Sequence, residues 1–125
     1  MQTVEIPREA WVATLDEFTA IHEGWLVSLE VLGPEIGAQP AMDNLPLFAV
    51  SADRPDRGGT ITISAARATG EHMTHTIHGA SRVYIERTDE GADAALQIES
   101  GDGTRAILRF RTAARPETLD GIAHR

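Results

Sequence analysis

Between Trp11 and Ile21 apolar side chains return every three or four residues. Trp11, Val12, Leu15, Phe18 and Ile21 fall on one helical stripe, with Asp16 and Glu17 on the outer side. Pro7 opens the segment, where a missing N–H has no partner to lose, and Glu9 suits the positive end of the helix dipole. Gly24 suits the C-terminal cap. The spacing predicts a helix over residues 7–23. Beyond Gly24 the period changes to two. Trp25, Val27, Leu29 and Val31 alternate with Ser28 and Glu30, which predicts a half-buried strand from Trp25 to Leu32, closed by Gly33-Pro34.

Residues 35–44 show no clean period and are expected to form a loop. Leu45 to Ala52 predicts a second strand, with Pro46 at its start or on an edge, because proline cannot donate to a ladder. The breaker-rich run from Asp53 to Gly59 predicts a turn. Thr60 to Ala66 follows as a strand with Ile61, Ile63 and Ala65 inward. Glu71 to Arg87 reads as two strands joined at a Gly79-Ala80-Ser81 corner. Asp89 to Asp93 predicts the next turn, and Leu96 and Ile98 give the next strand its inner face. Ser100-Gly-Asp-Gly103 marks a tight hairpin, since Asp-Gly supplies the positive φ of primed turns. Ala106, Leu108 and Phe110 line the last strand, with Arg105, Arg109 and Arg111 facing away.

Connections this short cannot hold a crossover helix, so the sheet is antiparallel. The fold class expected is α+β: an N-terminal helix packed on a curved antiparallel sheet, or a small barrel, of about six to seven strands. Residues 1–111 form a single α+β domain in this reading, and 112–125 a flexible C-terminal tail.

Composition narrows the chemistry. The 125 residues suit one domain, and 42% apolar with 24% charged residues is ordinary for a globular chain. Nineteen Asp and Glu oppose eleven basic residues, all of them Arg, for a net charge of −8. That sign repels phosphate backbones, so nucleic acid and anionic membrane are poor partners. The absence of Cys removes disulfides, thiolate zinc sites and cysteine nucleophiles, and the absence of Lys removes Schiff-base chemistry. Met1 to Ile6 carries neither a basic nor an apolar leader pattern, and no apolar run approaches ~18 residues. A cytoplasmic protein is expected.

Candidate chemistry concentrates between Glu71 and Arg87, which hold His72, His75, His78 and the lone Tyr84. Three imidazoles in close succession invite a metal, but Thr74, Thr76 and Ile77 favour a strand, where residues three apart face opposite ways. His72 and His78 share a face yet stand ~20 Å apart. No metal ligands and no cofactor are therefore assigned. His75 shares the inner face with Met73 and Ile77. It is either a neutral core histidine or, with Ser81, Arg82 and Tyr84, part of a ligand-binding pocket in which it serves as acid, base or contact. No serine has a nucleophile-elbow context, and the glycine-rich turns lack the following helix that a phosphate loop needs. Trp25 is expected in the core with Trp11. The stripe of Arg105, Arg109 and Arg111 is answered by Glu99 and Gln97, as cross-strand pairs would be. No catalytic residue is assigned. The first functional reading is a non-enzymatic module that binds a protein partner or its own copy through open sheet edges. The alternative is a small-molecule-binding or hydrolytic site around His75 and Tyr84.

Five pieces in order carry a resemblance: P-R-E-A-W from Pro7, L-E-V-L-G-P-E-I-G-A-Q from Leu29, L-P-L-F from Leu45, H-T-I-H-G-A-S-R-V-Y-I-E from His75, and L-Q-I-E-S-G-D-G-T-R from Leu96. Over residues 6–111 the chain resembles a family of small bacterial proteins known only as a domain of unknown function. The resemblance implies no activity. Members often read His-Pro where this chain has His78-Gly79, which implies a corner here without the fixed proline.

Overall fold

The computed structural model describes residues 1–34, 37–54 and 59–114, with side chains through Arg111. Strand β1 (Gln2–Ile6) leads through a 3-10 turn at Arg8–Ala10 into helix α1 (Trp11–His22). There follow β2 (Leu26–Gly33), β3 (Gly37–Ala52), β4 (Ile61–Ala66), β5 (His72–Ile77), β6 (Ala80–Arg87), β7 (Asp93–Ser100) and β8 (Arg105–Ala114). The strands form one eight-stranded sheet in the order β1-β6-β7-β8-β2-β3-β4-β5, antiparallel at every pairing.

The covalent chain forces this sheet to curl. β5 lies at one edge and β6 next to the other, so a flat sheet would hold them roughly 29 Å apart. Only His78 and Gly79 join them, a link that spans at most about 11 Å. Gly79 takes the turn with φ of 68°. Backbone bonds stitch the corner: Ala80 N donates to Gly59 O at 2.8 Å and Gly101 N to Gly79 O at 3.1 Å. β1 and β5 nevertheless form no ladder with each other, so the sheet is curved and open rather than a closed barrel.

α1 fills the concavity. Trp11, Leu15, Phe18 and His22 are its buried stripe; the apolar three join one core with Val27 and Leu29 of β2, Leu45, Leu47 and Val50 of β3, Leu96 and Ile98 of β7, and Leu108 and Phe110 of β8, and the helix lies nearest β3. Ile21, expected on the stripe, is instead partly exposed and His22 takes its place. Helical rotation explains the exchange, because residue 22 returns to the azimuth of Trp11 while residue 21 falls roughly 80° away. Gly24 caps the helix end at φ of 90°. Thr19 Oγ1 donates to Val50 O and accepts from Val50 N, both at 2.9 Å, and so clamps the helix to β3.

The strand count exceeds the expectation because β1 was not anticipated. Its single buried residue, Ile6, gives almost no alternation to read. The loop expected over 35–44 is also corrected. Residues 37–44 belong to the sixteen-residue β3, while 35 and 36 lie outside the described residues. Two residues, Asp43 and Asn44, stand opposite Ser28 between the pairs Leu29–Met42 and Val27–Leu45. That bulge breaks the period of two. Asn44 takes φ of 51° there, a conformation asparagine tolerates, and its N–H donates to Ser28 Oγ at 3.1 Å. Pro46 lies inside β3 rather than at its start. The β2 ladder ends beside it, at Leu26–Pro46, and the β4 ladder begins at Leu47–Ala65, so its missing donor is not needed. The turn expected over 53–59 is described only at Asp53, Arg54 and Gly59, and the expected tail only at 112–114, which continue β8; the rest of both lies outside the described residues.

Candidate functional site

β5 keeps the alternation expected of it. Met73, His75 and Ile77 stand opposite Ala65, Ile63 and Ile61, whose side chains are all buried on the concave face. His75 is half-buried, and burial holds its pKa below the ordinary 6.5. His72 and Thr74 turn to the convex face. Consecutive imidazoles therefore point apart, and among the described residues no three His, Asp or Glu side chains converge closely enough to hold a metal ion.

The other expected site residues lie on β6. Arg82 Nη1 donates to Tyr84 Oη at 3.3 Å on the convex face, where Tyr84 stands between Glu5 of β1 and Gln97 of β7. Ser81 Oγ donates to Glu99 O at 3.1 Å. Thus Arg82 and Tyr84 come together, whereas His75 lies on the opposite face of the sheet and at its far edge. The arginine stripe is also placed: Arg105 meets Glu99 at 3.6 Å, and Arg109 meets Glu30 on β2 at 3.3 Å instead of a β7 residue. Trp25 packs on the core through His22 and Phe110.

The polar group that sequence reasoning missed is His22. Its ring is 1% exposed and is enclosed by Phe18, Trp25 and Phe110, with centroids 4.4, 4.5 and 4.6 Å away. Nδ1 stands 2.8 Å from Phe18 O, an acceptor only, so Nδ1 carries a proton. Nε2 lies 3.1 Å from Asp93 Oδ2, at ion-pair distance but poorly aligned for a directed hydrogen bond. Asp93 Oδ1 in turn accepts from Arg87 Nε at 3.0 Å. Burial raises the Asp93 pKa, but the contacts with His22 and Arg87 outweigh it and leave the carboxyl below its ordinary 3.8. The signal was present, since His22 follows Phe18 by four residues and Leu15 by seven. A histidine at a helix end simply reads as a polar terminus. Mechanically, this contact ties α1 to β6 and β7, across the concavity from the Thr19 clamp on β3.

Two edge strands, each with no further strand partner among the described residues, complete the candidate surface. β1 carries Glu5, and its terminal ammonium is held by Asp89 at 2.6 Å. β5, H-M-T-H-T-I, carries no Asp, Glu, Lys or Arg. β4 is its sole strand partner among the described residues, and Met73 is 42% exposed.

With this geometry in hand, comparison with known proteins places the chain. The model of a family of unknown function, DUF5335, matches residues 2–120. The chain belongs to DUF5335. An uncharacterized protein of Aquifex aeolicus (strain VF5) is 32% identical over 113 residues, covering 90% of this chain and 96% of that protein. No solved structure matches this DUF5335 chain. Among the described residues, no helix is long and apolar enough to cross a membrane. The family description assigns no activity, so the chemistry of this DUF5335 member is read from its side chains and its edges.

Proposed function

We propose that this DUF5335 chain is a non-enzymatic module that associates with a second copy of itself through a sheet edge. The observation that carries the reading is β5: an edge strand paired only with β4 among the described residues, with two threonines, an isoleucine and no formal charge, in a protein of net charge −8. Natural sheets protect such edges with charge, proline or a cover, because unpaired N–H and C=O groups template further pairing. The nucleophile arrangement is weak support for catalysis, since Ser81 is engaged by a backbone carbonyl and no histidine lies within hydrogen-bond reach of it among the described residues. The acidic balance favours a protein partner over nucleic acid.

Pairing of one short strand buries less than the ~1,200 Å² typical of stable complexes, so a weak dimer is expected, with a dissociation constant in the micromolar range or above. Sedimentation velocity from low micromolar to near-millimolar protein tests this. The expected result is a reversible shift from monomer to twice its mass. A monodisperse monomer throughout the range sinks the proposal.

A further inference from the structure

Residues 72–78 read H-M-T-H-T-I-H. Around His75 this segment is chemically palindromic: threonines at 74 and 76, large apolar residues at 73 and 77, histidines at 72 and 78. An isologous interface is self-complementary, with residue i meeting j while j meets i. An antiparallel pair of identical strands about a two-fold axis sets against each other residues whose numbers sum to a constant. A palindrome is the sequence that turns every such pair into like against like.

We infer that the β5 edge pairs antiparallel with the β5 of a second copy, about a two-fold axis through His75. The inference rests on the self-association reading above and adds the edge and the register. On the concave face, Met73 then meets Ile77 of the second copy, twice, flanking His75 against its own copy. On the convex face, Thr74 meets Thr76 twice, a pairing that β-branched hydroxyl side chains favour. Neighbouring registers fail. An axis through Thr74 sets Met73 against His75 and Ile77 against Glu71. An axis through Thr76 sets Ile77 against His75 and Met73 against Gly79. The other edge fits a second copy poorly: Q-T-V-E-I is not palindromic, and its centre, Val4, would bring Thr3 against Glu5. The pairing would join two eight-stranded sheets into one continuous sheet whose concave faces lie on the same side.

The chain has no cysteine, so single cysteines report the register cleanly. Directly opposed positions approach within ~5 Å, close enough for a disulfide, whereas diagonal positions at ~7–8 Å are not. Under mild oxidation of the full chain, His75→Cys is expected to yield disulfide-linked dimer. Thr74→Cys and Thr76→Cys are each expected to remain uncrosslinked alone and to crosslink at least several-fold more when mixed. Val4→Cys at the centre of β1 is expected to stay monomeric. The substituted positions on β5 are half-buried or exposed, and circular dichroism verifies that each variant is folded. In a separate variant, Thr74→Lys should weaken association at least tenfold without loss of fold. Should the wild type dimerise while Val4→Cys crosslinks and His75→Cys does not, the register and edge are wrong and self-association stands. Should Thr74→Cys crosslink with itself, the axis is misplaced. A wild type that never leaves the monomer sinks both proposals together.

Discussion

His22 and His75 face the interior of the same curled sheet, yet their surroundings are opposite. His22 is almost wholly buried; its Nδ1 bonds Phe18 O, and its Nε2 lies 3.1 Å from the Asp93 carboxylate. His75 is only half-buried and has apolar neighbours, Ile63 across the ladder with Met73 and Ile77 along its own strand. The deeper histidine is therefore the better provided for. Depth without partners penalises charge, while depth with a carboxylate and a carbonyl makes a polar group part of the core. The contrast assigns roles as well: His22 fastens the helix, and His75 sits on an edge strand whose sole strand partner among the described residues is β4.

The largest expected effect comes from removing what partners His22. Asp93→Ala removes the carboxylate that lies against His22 Nε2 and accepts from Arg87 Nε. Breaking a buried pair costs about 3–5 kcal/mol. Arg87 is 40% exposed and can turn to water, which lowers the expectation to roughly 2–3 kcal/mol, or a fall in Tm of about 10 °C for a domain of this size. Asp93→Asn keeps one acceptor and should fall between this variant and the wild type. Arg87→Gln should cost no more than about 1 kcal/mol, as exposed pairs do. Thermal unfolding at neutral pH ranks the three. Equal losses for Asp93→Ala and Arg87→Gln would show that His22 gains nothing from the carboxylate.

Next in size is the acid response. The folded-state pKa of Asp93 is depressed below 3.8, so its stabilisation is fully present above that value and is lost as pH falls through the folded pKa. Wild type should therefore lose stability faster than Asp93→Asn only below about pH 4, and the two curves should run parallel above about pH 5. His75 acts in a different window. Its folded pKa is lowered by burial, so the unfolded chain binds the proton first and stability declines once pH drops below about 6.5. Denaturant midpoints across pH 3–8 for wild type, Asp93→Asn and His75→Gln separate the two windows. Coincident wild-type and Asp93→Asn curves over the whole range would remove Asp93 from the account.

The same two histidines show where sequence was readable. β5 was readable because H-M-T-H-T-I alternates cleanly, and a period of two assigns His75 to the inner face with no further information. The α1 stripe was readable through Leu15 and Phe18, but its last member was a polar residue type, so a pattern keyed to apolar residues stepped to Ile21. The partners of His22 lie far along the chain at Arg87 and Asp93, and no local pattern connects them. β1 and the first half of β3 were hidden for related reasons. Exposure leaves β1 with one buried residue, and the Asp43-Asn44 bulge shifts the phase of β3 midway. Local period locates strands that cover a core, while bulges and long-range ion pairs follow from the tertiary arrangement. The separation of His75 from Arg82 and Tyr84 is of this second kind, because it depends on where each strand lies in the sheet order.

The smallest expected effect is also the one whose sign decides most. If β5 pairs about His75, the two imidazoles meet at the axis, and protonating both places like charges about 5 Å apart. No titratable side chain faces His75 from within its own chain on β4 or β5: Ile61, Ile63 and Ala65 stand on one strand, and Met73 and Ile77 on the other. No charged group adds to burial in setting its pKa. Acidification has a competing consequence, since the net charge of −8 shrinks toward the pI of about 5.0 and general repulsion between copies weakens. Charge neutralisation alone predicts tighter association as pH falls from about 7.5 to 5.5, and the His75 pair predicts weaker association over the same span. Sedimentation equilibrium should show the wild-type dissociation constant rising several-fold on acidification and that of His75→Gln falling. If both fall together, His75 does not lie at the axis, and the edge contrast between β1 and β5 rests on their charge alone.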